Sequence, residues 1–120
     1  MDRPQTDTVV LFTQVCPRIN RGVKLEKQTW ENHIVPQHPQ VAGHLTLIQN
    51  IIKTSDEQQP IWQKANNPKK LCIVRQVPQF LPENSLILIA LEIYSDSMAV
   101  VTSVYPVDEW PSKEKGFNPL

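Results

Sequence analysis

Apolar residues fall into short blocks along this chain, and their spacing changes period twice. Thr8-Val-Val-Leu-Phe-Thr-Gln-Val is β-branched and apolar and predicts a strand. A turn over Cys16-Pro-Arg-Ile-Asn-Arg-Gly follows, and Val23-Lys-Leu predicts the second arm of a hairpin. Helical spacing takes over near Lys27, where Trp30 and Ile34 lie four apart with His33 on the same side. Pro36 is expected to end this helix, and Pro39 suits the first turn of a second one. That second helix carries Val41, Leu45, Ile48 and Ile52 in an amphipathic stripe, widened by Leu47 and Ile51.

The pattern then returns to strands. Residues 55–68 are polar and irregular, broken by Ile61 and Trp62. Leu71-Cys-Ile-Val-Arg predicts a strand, and a loop with two prolines runs from Pro78 to Asn84. Ser85-Leu-Ile-Leu-Ile-Ala-Leu-Glu-Ile-Tyr is a continuous apolar run, which suits a central strand buried on both faces. After a turn at Ser95-Asp-Ser, Met98 to Tyr105 predicts an antiparallel partner. The sum is α+β: an N-terminal hairpin and two helices packed on an antiparallel sheet that ends in a three-stranded meander. Residues 1–110 read as one domain and 111–120 as a flexible C-terminal tail, in keeping with 11 prolines in 120 residues.

Charge changes the picture slightly. The formal net charge is zero, but Lys and Arg concentrate between Gln14 and Pro82, and acids dominate from Glu83 onward. Lys64, Lys69, Lys70 and Arg75 follow one another with no acid between them. A basic face is therefore available without a basic chain. No apolar run approaches the roughly 20 residues that a spanning helix needs. The polar N-terminus lacks a signal-peptide pattern. A cytoplasmic, soluble chain with no membrane partner is expected. Cys16 and Cys72 sit in apolar contexts and read as two packed, reduced thiols.

Chemistry is most concentrated in Trp30-Glu-Asn-His-Ile-Val-Pro-Gln-His-Pro-Gln-Val, which holds two of the three histidines, His33 and His38. Two imidazoles in one segment suggest proton transfer or metal ligation. The spacing His33, His38, His44 does not put three ligands on one helix face, so no metal is expected. The three glycines are isolated, which leaves no phosphate-binding loop and no cofactor to expect.

The pattern Trp-x-x-His-Ile-x-x-x-His-Pro at Trp30, His33, Ile34, His38 and Pro39 resembles small phage-associated and bacterial proteins of the barnase–colicin–RelE (BECR) nuclease-like family. Asp56, Ile61, Arg75 and Val100-Val-Thr-Ser-Val-Tyr-Pro extend the likeness across residues 8–107. Gln40 and Ser103 depart from it, standing where Glu and Ala are usual. The resemblance implies a toxin-like, metal-independent endoribonuclease with an antitoxin or inhibitor protein as partner. It implies His33 and His38 as general base and acid, Arg75 as phosphate clamp and Thr102 as orienting hydroxyl. Lys69 and Lys70 would steer RNA, and Trp62 would stack on a base. The rival expectation is a catalytically inactive module of the same fold that binds RNA or a protein, favoured by Gln40 and the neutral charge. Each residue also has an ordinary role open to it. His33 suits a structural histidine, His38 a helix cap, Trp62 a core plug and Thr102 a strand position. Arg75, Lys69 and Lys70 suit solvated charges.

Overall fold

The computed structural model describes residues 9–55, 60–77 and 86–120. Asp56 and the loop Pro78 to Asn84 lie outside the described residues.

Strands β1 (Val10–Cys16) and β2 (Arg21–Glu26) form the predicted hairpin. Its turn closes through Asn20, which takes a left-handed φ of 54° that Asn tolerates. β2 runs directly into helix α1 (residues 27–37). The middle of α1, Trp30–Ile34, is wound as a π-helix, with the Val35 N–H donating to the Trp30 carbonyl. This wide turn explains why Pro36 does not end the helix as expected. The proline ring would meet the carbonyl four residues back in an α-helix, and the extra width relieves that clash. The His38 N–H donates to the Ile34 carbonyl at 2.8 Å and closes the last turn.

The second helix starts later than the sequence suggests. Pro39–Val41 forms a separate 3-10 turn, and Gly43, at φ 85°, reverses the chain before α2 (Leu45–Lys53). Ile48, Ile51 and Ile52 of α2 are fully or almost fully buried. Burial of each such side chain contributes about 1.5–3 kcal/mol.

Four strands follow where three were expected before the C-terminal residues: β3 (Ile61–Lys64), β4 (Asn67–Gln76), β5 (Leu86–Ile93) and β6 (Met98–Val107). β3 was hidden in a polar stretch because four residues are too few to show a period. The C-terminal segment is not a free tail. Phe117–Pro119 forms β7, which pairs antiparallel with β3, and the Leu120 N–H donates to the Ile61 carbonyl at 2.7 Å. Pro119 is tolerated because β7 is an edge strand.

The sheet has seven strands in the order β1-β2-β6-β5-β4-β3-β7. It is mixed rather than purely antiparallel, because β2 pairs parallel with β6 through Gly22–Lys24. The long stretch of chain between those strands removes any need for a tight turn. β5 is central, as its unbroken apolar run predicts. Ile87, Ile89 and Leu91 face the helix-side core with Ile73, Val101 and Val104. Leu86 and Leu88 face a second, smaller cluster with Cys72 and Val74. Both helices bury their apolar residues in the first cluster; among the described residues the second face carries no α-helix, only the 3-10 turn Lys113–Lys115 at one end.

Among the described residues no helix is long and apolar enough to cross a membrane.

Candidate functional site

The second face of the sheet carries a cavity of about 220 Å³. Strand alternation places its residues. Cys72 on β4 stands opposite Ala90 on β5 and Trp62 on β3, while Leu88 stands opposite Tyr105. One row along, Lys70 faces Glu92, and Lys64 faces Phe117 on β7. Cys72, Leu88 and Ala90 contribute to the apolar part of the lining, Tyr105 and Phe117 are its aromatic residues, and Lys64, Lys70 and Glu92 supply its charges.

A β-bulge adds one more residue. Ala90 pairs with Ser103 and Leu91 with Val101, so Thr102 is the extra residue on β6. The bulge lets Val101 and Val104, three apart, both reach the helix-side core. It turns Thr102 to the cavity, where its hydroxyl donates to the Ala90 carbonyl at 3.3 Å.

The other expected site residues scatter. His33 is exposed on α1. His38 is half-buried just after α1, and its ring stacks on Tyr105 with centroids 5.2 Å apart. This is possible because β2 pairs with β6 only as far as Val100, and the segment from Trp30 to Val41 packs against the rest of β6. Arg75 shares the β4 parity of Ile73 and Val77, on the helix side. It donates to the Thr54 hydroxyl at 2.8 Å at the end of α2. Arg75 and Thr102 therefore sit on opposite faces of the sheet. The structure brings Thr102, Lys70 and, through Tyr105, His38 to one cavity, and it does not bring Arg75 or His33 there.

Lys69 lines a neighbouring cavity with Lys24, Glu92 and Tyr94. Trp62 packs half-buried against the second cluster, with its Nε1 buried and without a hydrogen-bond partner among the described residues. It supports the floor rather than offering a face. Tyr105, Phe117, Lys64 and Glu92 were missed as site residues. The available signal was their strand parity with Cys72 and Ala90, which needs the register to be known.

Electrostatics of the cavity are mild. Lys64, Lys69 and Lys70 form no ion pair among the described residues, whereas Lys24 pairs with Glu26 at 3.4 Å and Lys115 with Glu109. Burial pushes the Cys72 thiol up to about 12, with Lys64 pulling weakly the other way, so it is a neutral wall atom and not a nucleophile. Burial also raises the Tyr105 hydroxyl, helped by Cys72, so it stays protonated and able to donate a hydrogen bond. Cys16 is equally structural. Its Sγ lies 2.9 Å from the Ser55 hydroxyl, which itself donates to the Ile52 carbonyl. Among the described residues no three His, Cys, Asp or Glu side chains gather as metal ligands would.

A cavity with lysines on its wall and aromatics beside them can hold an anionic, planar ligand. No protein-family model matches this chain, and neither a curated protein nor a solved structure matches it.

Proposed function

We propose that this chain is a non-catalytic, BECR-like module that binds RNA on the sheet face opposite its helices. One observation carries the reading: Lys64 and Lys70, neither of them ion-paired among the described residues, line a cavity together with Tyr105 and Phe117 on that face of the sheet. Ammonium groups attract phosphate, and aromatic rings take up base faces. The mixed charge of the surroundings sets the strength, and weak, salt-sensitive binding is expected.

The test is fluorescence anisotropy of a labelled RNA with wild type and a Lys64→Ala/Lys70→Ala double variant at low salt. Binding that drops in the double variant supports the reading. Absence of RNA binding by folded wild type overturns it and favours a protein partner, such as an antitoxin-like inhibitor.

Metal-independent RNA cleavage is the second reading. The stack of His38 on Tyr105 favours it, because it sets an imidazole beside a cavity that also holds Thr102. Against it, Arg75 lies on the other face and His33 is exposed on α1. Incubation with RNA in EDTA separates the two. Cleavage by wild type that is lost in His38→Ala would replace the binding reading, and intact RNA would retain it.

A further inference from the structure

We infer that the RNA taken by this face is single-stranded, with successive bases stacked on Tyr94, Tyr105 and Trp110. The inference rests on the RNA-binding reading above and goes on to specify the form of the ligand.

Three cavities on this side of the sheet share walls. The central one shares Glu92 with a cavity of about 480 Å³ that also holds Lys24, Lys69 and Tyr94. On its other side it shares Leu88, Tyr105 and Phe117 with a cavity of about 240 Å³ that also holds Trp110 and Lys115. The three cavities therefore adjoin in a row and form a track along this face. Tyr94 is six residues from Leu88, the register partner of Tyr105, so the two tyrosines lie about 20 Å apart along the sheet. That distance accommodates a run of nucleotides rather than one small ligand.

The aromatic rings at the two ends are the exposed ones. Tyr94 is 75% exposed and Trp110 48% exposed. Neither belongs to a buried core cluster. Exposed rings flank a central cavity that holds Lys64 and Lys70, which matches what unpaired bases need, namely flat apolar faces with cations nearby. Lys24 and Lys115 at the ends are paired with Glu26 and Glu109, so the two central lysines carry the phosphate contacts. A duplex hides its base faces in its own stack and would leave these rings idle.

The experiment compares a short mixed-sequence single strand with a duplex of the same sequence by anisotropy. The proteins are wild type, Tyr94→Ala, Trp110→Ala and the Lys64→Ala/Lys70→Ala variant. Both aromatic positions are exposed, so folding is retained, and circular dichroism checks it. The expected result is a single strand bound at least about tenfold tighter than the duplex. Each aromatic variant should weaken single-strand binding about 5- to 100-fold, with an unchanged dependence on salt because stacking releases no counterions. Equal binding of duplex and single strand, with normal affinity in both aromatic variants and loss in the lysine variant, would overturn this inference while leaving the RNA reading intact. No binding of either RNA by wild type overturns both.

Discussion

The rings of His38 and Tyr105 stack at 5.2 Å with their planes 29° apart, and this contact joins the helical side of the molecule to the second face of the sheet. Tyr105 is a shared wall of two cavities, so its position sets the shape of the track. An aromatic pair of this kind contributes about 0.5–1.5 kcal/mol. His38→Ala should therefore lower stability by about 1 kcal/mol in urea denaturation. It should also weaken RNA binding less than Tyr105→Ala does, because it removes the support and leaves the ring. A larger effect from His38→Ala than from Tyr105→Ala would give the imidazole a direct role.

The helix-side core depends on α2. Ile52 is fully buried among residues from the sheet. Ile52→Ala should cost about 2–5 kcal/mol, through lost transfer energy and the cavity left behind. On a domain of this size that is a large share of the total. The check is the urea midpoint at unchanged slope.

Cys72 makes stability depend on alkaline pH. Its thiol is pushed up from 9.0 to about 12 by burial, so the folded state holds its proton where the unfolded state releases it. The contribution is fully present below about pH 9 and is lost as pH rises toward 12. Stability measured from pH 8 to 11 should fall, and Cys72→Ala should flatten that fall. At pH 8 the native thiol should react slowly with an alkylating reagent and the unfolded one quickly.

The sequence made some elements plain and hid others for physical reasons. The apolar run from Leu86 to Ile93 has no polar break until Glu92, and only a central strand covered on both faces requires that. The stripe of Ile48, Ile51 and Ile52 likewise has one reading. By contrast, the π-helical turn that carries α1 past Pro36, the break at Gly43 and the pairing of β7 with β3 depend on contacts distant in sequence. The site was legible only in part. Lys70 and Thr102 were named, and both line the cavity. Arg75 was grouped with them through the resemblance, but it stands five residues from Lys70 on the same strand, and an odd spacing sends the side chain to the opposite face. The bulge at Thr102 then reverses the parity that the end of β6 would otherwise have.

The most direct test is the salt dependence of single-stranded RNA affinity, measured for wild type and for Lys64→Ala/Lys70→Ala. Three lysines without ion pairs among the described residues, Lys64, Lys69 and Lys70, predict a slope of log affinity on log salt of roughly −2, at roughly −0.7 for each phosphate contact. The double variant should bind more weakly, with a slope near roughly −0.7. Identical affinity and slope in the two proteins, or no binding by wild type at low salt, would contradict the placement of RNA on this face.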